Sequence, residues 1–227
     1  MVKLVLFDID GTLLDSGEAG SKALDRVFSD LFSEKDTFQR IACGGKTDIQ
    51  IIREGLSLLG LPADRATISR ILEAYVKSLR SEVDHSNKRL MPGVKALLDG
   101  LVDQGRYRLG LLTGNIREGA RIKLEPFGLN RYFLSGAFGD DSENRNDLLP
   151  IALRRIRDRE GLRLDFKDCI VVGDTPMDVE CSKPFGALSI AVATGAYAMP
   201  ALSQAGADHV IEDLSHALNI IEEEGMR

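Results

Sequence analysis

The stretch KLVLFDIDGTLLDS, residues 3–16, combines the two strongest structural signals in this sequence. Residues 4–7 form a short apolar run of the kind that builds a strand buried on both faces of a parallel sheet. Two carboxylates, Asp8 and Asp10, follow the run with one residue between them. Because like charges so close together repel each other, this placement predicts that a positive group lies beside them.

The composition is that of an ordinary globular protein. The chain has 227 residues, of which 44% are hydrophobic and 28% charged, enough for one large domain or for one domain with a smaller inserted module. The net charge of −6 argues against nucleic-acid binding through a basic surface. We expect no membrane span, because no apolar run approaches ~20 residues. We expect no signal peptide, because the first apolar run stops at Asp8.

The cysteines and histidines do not form the clusters that a zinc site needs. Cys43, Cys169 and Cys181 are far apart and contain no CxxC pair, and the three histidines are scattered. An odd number of widely spaced cysteines is typical of a protein from a reducing compartment. We therefore predict a cytoplasmic location.

Apolar runs similar to the first one recur and alternate with helical patterns. The predicted strands are residues 4–7, 108–112, 169–172 and 188–192, with weaker candidates at 133–138 and 209–211. The predicted helices between them are residues 92–104, 117–126, 147–159, 177–185 and 214–223. Strands that alternate with helices indicate a doubly wound α/β fold around a parallel sheet.

The segment that follows the first strand breaks this alternation. It contains amphipathic helical patterns at 18–31, 47–59 and 63–80, and it lacks a good strand pattern. A helical block inserted at this point predicts a cap over the carboxyl edge of the sheet. We therefore predict an α/β core formed by residues 1–15 and 86–227 and an all-helical cap domain formed by residues 16–85.

Polar residues follow the predicted strands at the points where the strands end. Because ligands of open α/β sheets bind beyond the carboxyl ends of the strands, these residues should lie close together. They are Asp8, Asp10, Thr113, Gly114, Asn115, Asp174 and Asp178. Several carboxylates at one edge cannot all stay ionised without a cation, and their oxygens suit Mg²⁺. Histidine and cysteine are missing from these strand ends, which disfavours zinc.

The same edge offers hydrogen-bond donors for an anion. They include the Thr113 hydroxyl, the backbone N–H groups of the glycine-containing turns, and Arg145, which precedes a predicted helix. Such donors suit a phosphoryl group, whose negative charge is spread over several oxygens. The strand ends therefore predict a site that takes a divalent cation and a phosphate group together.

These motifs resemble those of the haloacid dehalogenase-like superfamily of phosphotransferases. FDIDGTLLDS matches the first motif of the family, LLTGN the second and GDTPMD the fourth, and the resemblance covers essentially the whole chain. It is strongest to members with a helical cap after the first strand, such as phosphoglycolate phosphatases. The third motif normally supplies a lysine, and Arg145 in SENRNDLLPIAL is the best-placed basic residue here. Lys183 and Lys123 are less suitable substitutes.

The resemblance implies a Mg²⁺-dependent phosphatase with a Rossmannoid core that acts on a small phosphorylated metabolite. Asp8 would be the nucleophile that attacks phosphorus and forms an aspartyl-phosphate. Asp10 would protonate the leaving alkoxide and then take a proton from the attacking water. We expect the negative charge of its neighbours to help keep Asp10 protonated for the first step.

The remaining roles also follow from the resemblance. Thr113, Gly114 and Asn115 would hold the phosphoryl oxygens, and Arg145 would neutralise them and restrain Asp8. The implied metal ligands are Asp8, Asp10 through its backbone carbonyl, Asp174, and Asp178 either directly or through water.

The stretch CGGKTD, residues 43–48, suggests a second binding element. It is similar to the end of a phosphate-binding P-loop, but position 40 is an arginine where that loop needs glycine, and no strand precedes it. We reject the P-loop interpretation. In capped relatives a glycine-containing basic loop here touches the substrate, so the resemblance implies substrate binding by Arg40, Gly44, Gly45 and Lys46. Thr47 and Asp48 also fit the start of a helix.

Alternative functions remain open at this point. A sugar phosphomutase has the same motifs, and a phosphonoacetaldehyde hydrolase would need a cap lysine such as Lys46. A non-catalytic phosphate-binding module is the alternative from another class, since a fold alone does not establish activity. Asp10 argues against a dehalogenase. The protein is expected to be a monomer or a homodimer.

Overall fold

The computed structural model describes residues 2–133 and 135–225. Its strands are β1 (Lys3–Phe7), β2 (Leu14–Asp15), β3 (Arg89–Leu90), β4 (Tyr107–Leu112), β5 (Ser135–Ala137), β6 (Cys169–Gly173), β7 (Leu188–Val192) and β8 (His209–Ile211). Its helices are α1 (Ala19–Phe32), α2 (Asp48–Leu58), α3 (Arg65–His85), α4 (Val94–Asp103), α5 (Arg117–Leu124), α6 (Leu148–Glu160), α7 (Pro176–Ser182), α8 (Met199–Gln204) and α9 (Ala217–Gly225).

Six of the strands form one parallel sheet in the order β5-β4-β1-β6-β7-β8. Apolar clusters that the sheet shares with its flanking helices are buried against both faces. This is why β1 and β6 are almost continuously apolar rather than alternating. The predicted doubly wound α/β fold is confirmed.

The register of β1, β4 and β6 aligns the ends of these three strands, and with them the motifs that follow each strand. Phe7, the last residue of β1, lies opposite Leu111 on one side and Val172 on the other. Because all three strands run in the same direction, the residues that follow them emerge at one edge of the sheet. That edge therefore receives the DxD, TGN and GDTPMD motifs together.

Helices α1, α2 and α3 pack around an apolar cluster of their own, which is centred on Phe28, Ile52 and Tyr75. Ile116, the residue just before α5, and Ile122, in the second half of that helix, belong to the same cluster. Helices α1, α2 and α3 therefore share an apolar cluster with α5, the helix that follows the TGN turn. The division at residues 16 and 85 stays a prediction.

Four differences from the sequence-based expectations are local. The strand expected at residues 133–138 is Ser135–Ala137, and Leu134 lies outside the described residues. Helix α3 continues to His85 rather than ending near residue 80. The two-residue pair of β2 and β3 and the six-residue helix α8 were not predicted, because such short elements carry too little periodicity. Across the described residues, no helix is both long and apolar enough to cross a membrane.

Candidate active site

Three buried carboxylates meet at the carboxyl edge of the sheet. Asp8 follows β1, Asp174 follows β6, and Asp178 lies in the first turn of α7. Each contributes a carboxylate oxygen to a group whose atoms all lie within 4.8 Å of one another. Asp8 and Asp174 also line a cavity of about 410 Å³. The structure thus brings together the three predicted side-chain metal ligands Asp8, Asp174 and Asp178.

The local sequence explains why Asp178 lies at this point. Thr175 caps α7, and Pro176 occupies the first helical position, where a missing N–H costs nothing. Asp178 completes the capping box, since its Oδ2 accepts hydrogen bonds from the Thr175 N–H at 3.0 Å and from the Thr175 hydroxyl at 2.7 Å. Its other oxygen, Oδ1, contacts Nη2 of Arg145.

Arg145 is buried between two of these acids. Its Nη2 lies 3.2 Å from Oδ1 of Asp8 and contacts Asp178, and its Nη1 donates to the carbonyl of Gly45 at 3.3 Å. In the described part of the chain, its Nε is buried without a hydrogen-bond partner. Arg145 thus lies beside Asp8, and its assignment to the third motif stays a prediction. Lys183, one of the substitutes, instead contacts the carbonyl of Ala205.

One arginine does not neutralise three carboxylates. Burial raises the pKa of Asp8 to about 6, with the charges of Asp178 and Asp10 adding to the effect and Arg145 opposing it. Burial and the charges of Asp8 and Asp178 raise the pKa of Asp174 to about 8. An all-oxygen donor set with excess negative charge fits a hard divalent cation such as Mg²⁺.

Two glycines fix the position of Asp174. A Cβ atom on Gly11 would lie 2.3 Å from Oδ2 of Asp174, and one on Gly195 would lie 1.8 Å from the same oxygen. Gly11 also has a φ of +82°, a conformation that favours glycine. Thr12 donates a hydrogen bond to Oδ1 of Asp174 at 2.9 Å. The carboxylate is thus held in one orientation.

Asp10 has very different surroundings. Ser16 donates to its Oδ1 at 2.8 Å, while Asn115 and Lys123 donate to its Oδ2 at 2.9 and 2.6 Å. Burial raises the pKa of Asp10, but the Lys123 ammonium and the three hydrogen bonds outweigh it, so the net pKa is below its usual range. The expectation that negative neighbours keep Asp10 protonated is wrong, because its nearest charged neighbour is a lysine.

The TGN turn contributes Thr113, Gly114 and Asn115, which lie together at the end of β4. Thr113 is fully buried, and its hydroxyl accepts a hydrogen bond from the Asn115 N–H at 3.3 Å. The Asn115 side chain contacts Asp10, Thr113 and Lys123. Gly114 is needed for a close approach, since a Cβ there would lie 2.1 Å from the carbonyl oxygen of Lys46.

The loop before α2 closes over this turn. Gly44, Gly45 and Lys46 line the cavity, and the Lys46 ammonium contacts Glu54. Arg40, the fourth residue implied for substrate binding in this region, is exposed and does not line the cavity. Of the predicted loop contacts, the structure thus brings the two glycines and Lys46 to the site but not Arg40.

Sequence reasoning missed a function for Asp48 beyond starting a helix. Its backbone N–H donates to the carbonyl of Gly114 at 2.8 Å, and its Oδ2 accepts from the Ile116 N–H at 2.8 Å. Burial raises the pKa of Asp48 to about 6, although Lys123 opposes the shift. A buried carboxylate at the start of α2 thus joins that helix to both sides of Asn115. A Thr-Asp pair at the start of a helix does not indicate in the sequence that Asp48 contacts residues as distant as Gly114 and Ile116.

The chain belongs to the haloacid dehalogenase-like hydrolase family, because the model of that family matches residues 5–192. The predicted family membership and hydrolase class are confirmed. Among its relatives, the phosphoglycolate phosphatase of Aliivibrio fischeri is 28% identical over 224 residues, which cover 97% of this chain and 96% of that protein. The pyrophosphatase PpaX of Halalkalibacterium halodurans is 26% identical and is matched over 97% of both chains.

Solved structures share the fold. A predicted phosphatase from Clostridium acetobutylicum aligns with a TM-score of 0.74 at 23% identity, over 98% of this chain and 99% of that one. CbbY from Rhodobacter sphaeroides, in complex with phosphate, aligns with a TM-score of 0.73 at 19% identity, over 95% of this chain and 96% of that one. At these identities the likeness establishes the fold.

Proposed function

We propose that this protein is a Mg²⁺-dependent phosphatase that hydrolyses a small phosphate monoester through an aspartyl-phosphate on Asp8. The observation that carries the proposal is the group of three buried carboxylates, Asp8, Asp174 and Asp178, with Arg145 held against two of them. The relatives named phosphoglycolate phosphatase support a small phosphorylated substrate. A cavity of about 410 Å³ is consistent with a small metabolite.

Asp8 and Asp174 would hold the ion, with the backbone carbonyl of Asp10 as a further ligand. Asp178 would act mainly through water, because its oxygens already accept hydrogen bonds from Thr175 and Arg145. A bound Mg²⁺ supplies the positive charge that lets an anionic phosphate approach anionic carboxylates. Magnesium keeps several waters and takes one or two carboxylates, which agrees with this division of roles.

The chain's own residues would carry the two chemical steps. In the first step an oxygen of Asp8 forms a bond to phosphorus, the bond from phosphorus to the leaving oxygen breaks, and Asp10 gives its proton to that oxygen. In the second step a water oxygen forms a bond to phosphorus, the bond from phosphorus to Asp8 breaks, and the water gives a proton to Asp10. Thr113 and the backbone N–H groups after it would hold the phosphoryl oxygens.

The loop with Gly44, Gly45 and Lys46 would contact the part of the substrate that leaves. Its position over the TGN turn supports this role, because it lines the same cavity as Asp8. Arg40 would act in this way only if the loop moved. We further propose that the protein works in the cytoplasm as a monomer or a homodimer.

The test measures phosphate release from p-nitrophenyl phosphate and from a panel of phosphorylated metabolites, with and without Mg²⁺. We expect release that requires Mg²⁺ and that falls at least about 10³-fold in Asp8→Asn, because the amide is a poor nucleophile. Asp103→Asn, at an exposed position on α4, is the matched control and should keep full activity. A folded wild-type protein that releases no phosphate would support the non-catalytic phosphate-binding alternative.

A further inference from the structure

Lys123, Asn115 and Asp10 form a closed triangle of hydrogen bonds. Nζ of Lys123 donates to Oδ2 of Asp10 at 2.6 Å and to Oδ1 of Asn115 at 2.7 Å. Nδ2 of Asn115 donates to the same Asp10 oxygen at 2.9 Å. Lys123 is 5% exposed, so the triangle keeps its ammonium away from bulk water.

The donor inventory decides how each member of the triangle is oriented. An ammonium has donors and no acceptor, so the atom of Asn115 that faces Lys123 must be the carbonyl oxygen. The amide nitrogen of Asn115 then faces Asp10 and the Thr113 hydroxyl, where it donates at 2.9 Å to each. Lys123 thereby sets the orientation of the Asn115 amide, which hydrogen-bond geometry alone would leave open to a flip.

The two carboxylate oxygens of Asp10 differ in the kind of hydrogen-bonding groups that they contact. Oδ2 accepts from two groups that can only donate, and therefore cannot itself hold a proton toward them. Oδ1 contacts the Ser16 hydroxyl at 2.8 Å, and a hydroxyl can both donate and accept. A proton on Asp10 is therefore carried by Oδ1.

We propose that Lys123 is a positioning residue that, together with Asn115, reserves Oδ1 of Asp10 for proton transfer to and from the reacting oxygens. This inference rests on the proposed phosphatase function. In the first step the proton leaves Oδ1 for the leaving-group oxygen as the phosphorus–oxygen bond breaks and the bond from Asp8 to phosphorus forms. In the second step Oδ1 receives a proton from water as the water oxygen bonds to phosphorus and Asp8 is released.

This role predicts a dependence on the leaving group. A good leaving group such as p-nitrophenolate departs without a proton, whereas phenolate depends more strongly on one. The parameter kcat/KM reports the first step, in which the leaving group departs, and it should therefore reveal the difference. Breakdown of the aspartyl-phosphate needs a base with every substrate, so kcat should fall for both when that step limits turnover.

The experiment compares Lys123→Met with the wild type on p-nitrophenyl phosphate and phenyl phosphate in the presence of Mg²⁺. We expect kcat/KM for phenyl phosphate to fall about 10²-fold or more, and kcat/KM for p-nitrophenyl phosphate to fall at most one tenth as much. Arg121→Met removes a cation from the exposed side of the same helix and should change neither ratio. Lys123→Gln, which removes the charge and replaces a donor-only group with an amide that can also accept, provides the same comparison if Lys123→Met does not fold.

Equal losses on the two substrates would overturn the positioning role, because damage to the site as a whole does not distinguish leaving groups. Unchanged kcat/KM on both would overturn it as well. A folded wild-type protein that hydrolyses neither ester and no member of the metabolite panel would overturn the proposed function itself. The two proposals therefore fail in different ways.

Discussion

The two halves of the site treat neighbouring carboxylates in opposite ways. In the acidic half, formed by Asp8, Asp174 and Asp178, burial and mutual repulsion raise the pKa of Asp8 to about 6. In the lysine half, formed by Asp10, Asn115 and Lys123, the ammonium lowers the pKa of Asp10. Asp8 and Asp10 are separated by one residue, so the difference comes from what each side chain faces.

A DxD motif therefore does not by itself specify the charge state of its two acids. The acidic half has more negative than positive charge, which is what a cation site needs before its ion binds. The lysine half has its own counter-charge and needs no ion. Under the proposed function, metal binding and proton transfer would therefore take place in different surroundings, although Asp8 and Asp10 lie within one three-residue stretch.

Removing the arginine should have the largest effect on the acidic half. In Arg145→Met, Asp8 and Asp178 lose their buried cation, and the free energy of unfolding should fall by about 3–5 kcal/mol. The measurement is chemical denaturation at pH 7 in the presence of a chelator. Arg154→Met, an exposed change on α6, is the control and should lie within about 0.5 kcal/mol of the wild type. Equal stability of the two variants would contradict the view that the acids depend on Arg145.

Adding Mg²⁺ should stabilise the protein in a pH-dependent way. The raised pKa values of Asp8, about 6, and Asp174, about 8, mean that the metal-free fold keeps protons the unfolded chain has lost. These two groups should therefore lower the stability of the metal-free protein as the pH rises from about 4 to about 8. Since a bound ion would have to displace those protons, we expect Mg²⁺ to bind better at pH 8 than at pH 5.5.

Thermal and chemical denaturation can measure this effect. With Mg²⁺ at about a hundred times its dissociation constant at pH 8, the free energy of unfolding should rise by about 2.7 kcal/mol at that pH. The same concentration of Mg²⁺ should raise it by less at pH 5.5. Sodium chloride at matched ionic strength is the control. Equal gains at the two pH values, or an equal gain with sodium chloride, would show that the acidic half does not bind the ion.

A smaller effect should distinguish Asp48 from Asp10, which both lie near Lys123. Asp10 is hydrogen-bonded to the ammonium and has a lowered pKa, whereas burial raises the pKa of Asp48 to about 6. Ionisation of Asp48 should therefore cost the wild type stability as the pH rises from about 4 to about 6. Asp48→Asn removes this pH dependence. The free energy of unfolding of the variant, measured relative to that of the wild type, should therefore be about 2 kcal/mol higher at pH 7.5 than at pH 4.5.

Chemical denaturation of both proteins at the two pH values checks this prediction. Asp103→Asn again provides a control, because it makes the same chemical change at an exposed position. A constant difference between Asp48→Asn and the wild type would mean that the Asp48 carboxylate is already compensated in the folded state.

Much of the site could be predicted from where polar and charged residues lie relative to apolar runs. Asp8, Thr113 and Asp174 come directly after buried strands, and parallel strands deliver such residues to one edge. Arg145 was predicted from the resemblance to the third motif of the family and from its place before a helix, and it lies beside Asp8. The predictions for Asp8, Thr113 and Asp174 needed only chain order and the period of the strands.

The partner of Asp10 could not be predicted in the same way. Lys123 lies near the end of α5, more than a hundred positions after Asp10 in the chain. A lysine in the last turn of a helix is also what the sequence would contain if the side chain were exposed and only stabilised the helix end. The closure of the 43–48 loop over Gly114 was equally hidden, because it depends on a packing distance between two backbones. For Arg40 the error is the reverse: the sequence predicted a substrate contact from the residue type and its loop, but the residue does not line the cavity.

By itself, the sequence determined the α/β architecture, the family and the edge at which the acids gather, since these depend on periodicity and on residues adjacent to strands. Only the tertiary structure decided which acid faces a lysine, which acids face each other and which loop residues reach the cavity. The physical reason is that charge interactions depend on distance and burial in space, and neither quantity is encoded by spacing along the chain.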